Sequence, residues 1–480
     1  MRALNESRLT RATSSTRSEV EQPSPGDPVL AGVMSLREPS VLLEAVRKAW
    51  LAAGEPATVC AAEVVQVHYK PFQRARLLIA VAAAEPGATE PTMTQHLFVQ
   101  VCRTAAQARS RIKAADAKHT LKCAGPAVFL LPDQRAVAWS LPNAPRLRAA
   151  KVGLCPDKLH KLLRKLARKQ DLCPDVVPIL PALPQLIRYV PRRRALFRLA
   201  PVPHLTEAPL YIKVYEPRTF KRAKANLKII NLAASQQKLD FTVPKLVVSS
   251  SRRRALVMDT VPGVSFTTLV NASQTDAYER VGRAIASLHA SSVDPFVSWR
   301  PVSELKALAQ AMRDVKVALP HLAQEVDETL AELNRRRPRT SSDERVPLHG
   351  NLFGDQLLVA NNQVGLVDWD DLSFGDPMFD LGRLLAHLRF LAIRRPQIGI
   401  TVHSGLAKLF AAYRSRRNAD IEWRRLEWHT QVALLMRAKI SGLRPLTTTW
   451  KEELTDTLTL VHHSLKGGLD WVRTLPDSIR

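Results

Sequence analysis

The sequence predicts an α+β fold of two lobes, a small lobe built on an antiparallel sheet and a mainly helical large lobe, preceded by a second, degenerate copy of the small lobe. Short apolar strands separated by polar turns fill the first part of the chain, as in antiparallel sheets. From Gly263 onward, apolar residues recur at helical spacing. A chain of 480 residues is long enough for several domains with substantial cores.

The second copy is predicted from an internal repeat. Three segments of the front part recur in the same order further along the chain, each with similar apolar and basic residues. The recurring pairs are Tyr69–Ala75 with Tyr189–Ala195, Leu97–Val101 with Leu210–Val214, and Arg135–Trp139 with Arg254–Met258. Three matches in one order indicate two copies of a single β-rich unit.

A polar loop followed by a short hairpin is the most informative motif. The run His349–Gln356 precedes two apolar strands around the turn Asn361–Gln363, and the second strand leads into Asp368. The run Phe374–Gly382 completes the pattern. Such a hairpin would hold the polar loop beside a carboxylate, which is the arrangement that a metal–phosphate site needs.

Together these residues resemble the catalytic core of the aminoglycoside phosphotransferase and choline kinase-like family, a branch of the protein-kinase-like fold. The resemblance implies ATP and Mg²⁺ as cofactors and assigns His349 and the residue at position 351 to the catalytic loop. It implies that Asp368 binds the metal with help from Gln356, and that Asp380 holds the loop backbone.

The loop departs from the family pattern at two positions. Asn351 stands where the family has the catalytic aspartate, and Gln356 stands where it has an asparagine. An amide cannot accept a proton as a general base, whereas a carboxylate can. Gln356 is a milder change, because its carbonyl oxygen can still reach a cation.

The second copy of the repeat resembles the small lobe of the family. Lys213 lies on a predicted central strand, where its ammonium group would contact nucleotide phosphates. Met258, Asp259 and Thr260 resemble the hinge whose backbone meets the adenine. In the front copy Gln100 replaces the lysine, so that copy is expected to bind no nucleotide.

The helix that follows Lys213 departs from the family as well. The stretch Pro217–Leu239 contains no acidic residue to hold the lysine. Asn226 and Gln236 are weak substitutes, so Lys213 is expected to be less well ordered.

These observations divide the chain into five parts: a disordered tail at 1–30, a degenerate small-lobe-like domain at 31–150, a basic helix and Pro-rich linker at 151–184, a nucleotide-binding small lobe at 185–262, and a helical large lobe with the catalytic loop at 263–480. The stretch Cys155–Leu172 has an apolar stripe surrounded by lysines and arginines. It is predicted to pack on the protein, although a basic amphipathic helix can also lie on an anionic membrane surface.

The net charge of +26 restricts the partners. Long-range repulsion penalises the approach of a polycation, so we expect an anionic or neutral acceptor rather than an aminoglycoside. Nucleic acid is not expected, because the arginine clusters lack a reading motif and interleaved aromatic residues. Five scattered cysteines, with neither a signal peptide nor a transmembrane run, predict a cytoplasmic protein with reduced thiols.

Two functional hypotheses remain open at this point. The first is an ATP-dependent phosphotransferase acting on a small-molecule hydroxyl or amine, weakened by Asn351. The second is a catalytically inactive, nucleotide-binding pseudokinase that serves as a regulatory or interaction module.

Overall fold

The computed structural model describes residues 27–88, 90–113, 121, 125–145, 147–171, 184–202, 206–236, 239–339 and 344–467. The predicted disordered tail lies outside these residues apart from its last four positions. Most of the predicted Pro-rich linker, residues 172–183, lies outside them as well.

The front unit begins with two helices that cover one face of an antiparallel sheet. Its elements in chain order are α1 (Pro28–Arg37), α2 (Pro39–Ala52), β1 (Thr58–Lys70), β2 (Arg74–Ala84), β3 (Met93–Val101), α3 (Ala105–Lys113), β4 (Val128–Leu131) and β5 (Ala136–Ser140). The strands form a five-stranded sheet in the order β1-β2-β3-β5-β4.

The second unit repeats this arrangement. Its elements are β6 (Gln185–Val190), β7 (Arg194–Leu199), β8 (Leu210–Tyr215), α6 (Pro217–Gln236), β9 (Leu246–Ser250) and β10 (Ala255–Met258). The sheet order β6-β7-β8-β10-β9 is the same permutation as in the front sheet.

Two turns of the front sheet reappear in the second sheet with the same unusual backbone. Phe72 and Arg192 both have a positive φ, at 51° and 66°. Arg135 and Arg254 are also matched, at 51° and 50°. Non-glycine residues rarely adopt this conformation, so the agreement at equivalent positions extends the predicted repeat to the level of single turns.

Two helices fill the space between the sheets, α4 (Lys151–Leu154) and α5 (Pro156–Lys169). The apolar stripe of α5 is buried in one core cluster with residues of both sheets. The prediction that this helix packs on the protein is therefore confirmed. Phe98 of the front sheet and Tyr189 of the second sheet meet in this cluster, with ring centroids 6.0 Å apart.

The described part of the large lobe is mainly helical and carries five short strands. Its elements are β11 (Val264–Ser265), α7 (Phe266–Asn271), α8 (Ala277–His289), α9 (Pro301–Ala318), α10 (Ala323–Arg335), β12 (Val346–Leu348), β13 (Leu357–Ala360), β14 (Gln363–Leu366), β15 (Ser373–Gly375), α11 (Pro377–Arg394), α12 (Gly399–Arg417), α13 (Trp423–Ala438), a π-helix (Lys439–Leu443) and α14 (Trp450–Gly467). The five strands form a three-stranded sheet (β11-β13-β14) and a two-stranded sheet (β12-β15). The α+β bilobal fold predicted from the sequence is confirmed.

The front unit also contacts the large lobe. The Tyr69 backbone N–H donates to the Arg444 carbonyl at 2.8 Å, and Lys70 Nζ lies 4.0 Å from Asp314. Residues of α1, α2 and the front sheet share a core cluster with α9, α13 and α14. No helix in the described parts of the chain is long and apolar enough to cross a membrane.

Candidate active site

The polar loop is held from behind by a buried carboxylate. Asp380, in the first turn of α11, accepts hydrogen bonds from the backbone N–H groups of His349 at 2.6 Å and Gly350 at 3.0 Å. Burial raises the pKa of Asp380, but hydrogen bonding and charge from His289 and His349 outweigh it and lower the pKa overall. Asp380 therefore stays ionised and fixes the backbone of the loop.

His349 supports the loop rather than facing the cleft. Its ring is fully buried, and Nε2 donates to the Val367 carbonyl at 2.9 Å. Gly350 has φ +80°, and a Cβ placed there would lie 1.9 Å from the Asp371 carbonyl oxygen. Only glycine permits this close approach, so the loop is drawn against the segment that follows Asp368.

The hairpin of β13 and β14 leads into Asp368, as the sequence predicts. Asp368 adopts left-handed backbone angles, φ 71° and ψ 53°. Such strain in a non-glycine residue is common at functional sites, because the surrounding structure must impose it. Here it turns the carboxylate toward the second sheet.

Four charged side chains meet between the two lobes. Lys213 Nζ lies 2.5 Å from Asp368 Oδ1 and 2.9 Å from Asp370 Oδ1. Arg194 binds Asp368 with both terminal nitrogens at 3.2 Å and also pairs with Asp370. Burial raises the pKa of Asp368, but Lys213 and Arg194 overcome this effect and lower the pKa well below its usual range. The expectation of a poorly held Lys213 is therefore wrong, because two carboxylates replace the missing glutamate.

Two further residues, Tyr215 and Asn226, form hydrogen bonds in the site that the sequence does not predict. The Tyr215 hydroxyl donates to Asp370 Oδ1 at 2.8 Å. Asn226 Nδ2 donates to the carbonyls of Trp369 at 3.2 Å and Asp370 at 3.1 Å. Asn226 therefore anchors the segment after Asp368 and is not among the partners of the lysine.

A cavity of about 260 Å³ opens beside these charges. Its walls include Lys213, Asp368 and Gln356, together with Met258 and Asp259 of the predicted hinge. Leu196, Leu256, Leu358 and other apolar side chains form much of the remaining wall. Apolar walls around a few charged groups are typical of ligand sites.

The other predicted site residues take more peripheral positions. Thr260 is not among the lining residues, and its hydroxyl donates to the Pro209 carbonyl at 2.6 Å. Gln356 is buried, and its Oε1 accepts from the Phe353 N–H at 2.8 Å, which caps the short turn Gly354–Gln356. Asn351 is half-buried in the loop between His349 and Phe353.

In the described part of the front unit, the equivalent face of the sheet is packed against other protein side chains. The face of its sheet that carries Gln100 also carries Phe98, which packs in the core shared with the second sheet. With its side-chain oxygen toward Arg111, Gln100 accepts hydrogen bonds from Nε at 3.1 Å and Nη2 at 3.2 Å. Protein side chains thus occupy the space where the second unit has its cavity.

Comparison with known proteins bears on the predicted resemblance. The model of the phosphotransferase enzyme family matches residues 203–429, a segment that contains Lys213, the hinge, the polar loop, Asp368 and Asp380. The predicted family resemblance is confirmed. The matched model describes phosphotransferase enzymes, and no curated protein matches the chain.

Three solved structures of similar proteins each cover about two thirds of this chain. A choline/ethanolamine kinase family protein from Mesorhizobium loti is 14% identical, covers 66% of this chain and 96% of its own, and has a TM-score of 0.44. A choline kinase from Cryptosporidium parvum is 12% identical, with coverage of 64% and 96% and a TM-score of 0.45. A macrolide 2′-phosphotransferase from Brachybacterium faecium is 16% identical, with coverage of 64% and 98% and a TM-score of 0.39.

Proposed function

We propose that the protein is an ATP-dependent phosphotransferase that acts on a small-molecule hydroxyl or amine. The observation that carries the proposal is the meeting of Lys213, from the small-lobe sheet, with Asp368, from the large lobe, at the wall of a cavity that Met258 and Asp259 also line. Phosphoryl transfer requires a lysine that binds the phosphates, a carboxylate that binds a cation and a backbone segment that binds the adenine.

The donor groups at this wall fit Mg²⁺. The described residues contain no cluster of three or more His, Cys, Asp or Glu side chains arranged for a metal. Mg²⁺ in kinase sites, however, needs only one or two carboxylates besides substrate phosphates. Asp368 and Asp370 would supply these carboxylates. Gln356 also lines this wall, and because its carbonyl oxygen accepts from the Phe353 N–H, one lone pair is left for the predicted contribution to the cation.

When bound, the cation would neutralise charge on the transferred phosphoryl group. Lys213 and Arg194 would turn from the carboxylates to the nucleotide phosphates. Asn351 would orient the acceptor by a hydrogen bond without removing its proton, and His349 and Asp380 would hold the loop in place. Loss of general-base help typically costs about 10²–10⁴-fold in rate, so we expect slow turnover.

An inactive nucleotide-binding pseudokinase is the second candidate, and one observation favours it. Lys213 and Arg194 form ion pairs with Asp368 and Asp370. A nucleotide and a cation must displace these ion pairs before any transfer. A regulatory role would require only binding, and the front unit would then serve as a docking surface.

The deciding experiment combines binding and turnover. We expect Mg-ATP to raise the melting temperature of the wild-type protein, and we expect Lys213→Ala and Asp368→Asn to abolish this effect. If millimolar Mg-ATP leaves the melting temperature of the wild-type protein unchanged, both candidate functions are wrong.

The reversion Asn351→Asp separates the two functions. A phosphotransferase should turn over its acceptor about 10²–10⁴-fold faster with the restored carboxylate. A pseudokinase should bind Mg-ATP yet stay at background turnover in both forms. A reversion that lowers a robust wild-type rate would show that Asn351 is itself adapted for catalysis.

A further inference from the structure

Arg437 lies against Phe353 of the polar loop, and the charges of Arg188, Arg383 and Arg444 act on Arg437 or on one another; we call these four the rim arginines. They come from β6, α11, the end of α13 and the turn after the π-helix. Arg188 lines the cavity. None of the four lies within 4 Å of a carboxylate in the described parts of the chain, which is unusual for Arg383, Arg437 and Arg444, whose side chains are partly buried.

Arg437 lies against the polar loop that carries Asn351. Its guanidinium carbon lies 4.3 Å from the centre of the Phe353 ring, and Phe353 is two residues from Asn351. It also contacts His387, whose pKa burial and the Arg437 charge hold well below the usual range. His387 is therefore neutral, and it gives Arg437 a hydrogen-bond partner without a compensating negative charge.

The rim arginines repel one another. Burial lowers the pKa of Arg437 to about 10, Asp355 opposes this, and the charges of Arg394, Arg188 and Arg383 lower it further. Burial also lowers the pKa of Arg444, with further lowering by Arg193 and Arg188. Mutual repulsion of like charges raises the free energy of the protein until an anion neutralises them.

Arg383 and Arg444 are fixed by other contacts. Arg383 lies over the Phe379 ring at 4.4 Å, and its buried Nε has no hydrogen-bond partner among the described residues. Arg444 Nε donates to His68 Nδ1 of the front unit at 3.0 Å. These contacts hold the guanidinium groups in place without neutralising them, so the cluster is preorganised rather than collapsed.

We infer that the rim arginines form the acceptor subsite and that the acceptor carries a phosphate or carboxylate group besides the hydroxyl or amine to be phosphorylated. This inference rests on the proposed function, since it places the acceptor beside Asn351. Arg437 and Arg188 would bind the anionic group, because guanidinium forks suit carboxylate and phosphate oxygens. The net charge alone predicts only a preference, whereas the cluster gives that preference a location.

The test uses the full chain and matched compounds. With saturating Mg²⁺ and a non-hydrolysable ATP analogue in the nucleotide site, inorganic phosphate is titrated by calorimetry. Turnover is then compared for glycerol with glycerol 3-phosphate and for glucose with glucose 6-phosphate. We expect phosphate to bind, and we expect kcat/KM to be higher for the phosphorylated member of a pair that is turned over.

Three variants locate the effect. Arg437→Gln and the more exposed Arg188→Gln should each weaken phosphate binding about tenfold, as expected for loss of one charge-assisted contact. Arg252→Gln removes the same charge from the β9–β10 turn and should leave phosphate binding unchanged. Arg188→Gln keeps the test valid if Arg437→Gln fails to fold.

The outcomes separate the inference from the proposed function. If the analogue binds but phosphate does not, or if all three variants weaken phosphate equally, the inference is wrong and the proposed function stands. If the analogue does not bind, the proposed function fails. Phosphate is then titrated into Lys213→Ala and into the double variant Lys213→Ala/Arg437→Gln. Phosphate binding to the single variant that is lost in the double variant supports an anion site at the rim arginines. Absence of phosphate binding to the single variant overturns it.

Discussion

Arg194 is the residue of the site whose role the sequence indicates least clearly. It is the last member of a run of three arginines, and for any single charged run exposure to solvent is the common expectation. The repeat does contain a signal, because Arg74 stands at the equivalent position of the front copy. Only the fold shows that the turn before β7 directs Arg194 across the cleft to Asp368 and Asp370.

The first prediction concerns this arginine. Arg194→Gln should lower the free energy of unfolding by about 1–3 kcal/mol without metal, because two partly buried carboxylates lose a hydrogen-bonded cation. Mg²⁺ should restore more stability to this variant than to the wild type, since the carboxylates are freer to bind it. Urea unfolding with and without Mg²⁺ measures both effects.

Arg222→Gln is the matched control. It breaks the pair with Asp371, whose side chains are 43% and 42% exposed, and such surface pairs contribute little. Equal losses in the two variants, or no added response to Mg²⁺ in Arg194→Gln, would contradict the role given to Arg194.

At the scale of elements, the sequence predicts best those parts of the site whose residues are close together in the chain. The polar loop, the hairpin after it and the start of α11 at Asp376-Pro377 follow from neighbouring residues, and Asp376 accepts from the Met378 N–H at 2.9 Å as an N-cap. Contacts between distant elements could not be predicted. The partners of Lys213 come from residues more than 150 positions away, and no local pattern encodes them.

One such distant contact joins three helices. His429 of α13 is fully buried, with Nδ1 3.0 Å from Glu304 Oε2 of α9 and Nε2 3.7 Å from Asp376 Oδ2 at the start of α11. Burial lowers the pKa of His429, but Asp376 and Glu304 outweigh it and raise the pKa to about 9. A protonated His429 therefore ties the helices behind the polar loop together.

The second prediction is a pH dependence. A histidine whose pKa rises from 6.5 to about 9 on folding contributes stability that is complete below pH 6.5 and is lost as the pH rises through 9. The free energy of unfolding of the wild type should therefore exceed that of His429→Gln, and this difference should be roughly 3 kcal/mol larger at pH 6 than above pH 9. Urea titrations across this range measure the difference. Parallel curves for the two proteins would show that His429 is not charged in the fold.

At the scale of the whole molecule, the two copies of the repeat differ in how their sheets are packed, which the sequence does not predict. The three matching segments of the sequence predict that both copies contain the same strands in the same chain order. They do not predict how the two sheets stack, because stacking depends on which face of each strand is apolar. The face that forms the cavity wall in the second sheet is, in the front sheet, packed against α5 and the back of the second sheet. The front unit is thus built into the core.

The third prediction tests this packing. Gln100→Lys restores the lysine of the second copy but places a charge beside Arg111 on a buried face. We expect unchanged affinity for Mg-ATP and a loss of about 1–3 kcal/mol in the free energy of unfolding. Thr94→Lys adds the same charge at an exposed position of β3 and should change stability by less than about 0.5 kcal/mol. Tighter Mg-ATP binding by Gln100→Lys would mean that the front copy retains a nucleotide site.

The double attachment of the front unit restricts how the cleft can open. Through Phe98 and Tyr189 the unit is joined to the small lobe, and through Tyr69 and Arg444 to the large lobe. Rotation of one lobe against the other therefore has to break or shear one of these two attachments. Hinge motion becomes a coupled event, and the rates at which nucleotide enters and leaves would be set by the strength of a contact far from the nucleotide itself.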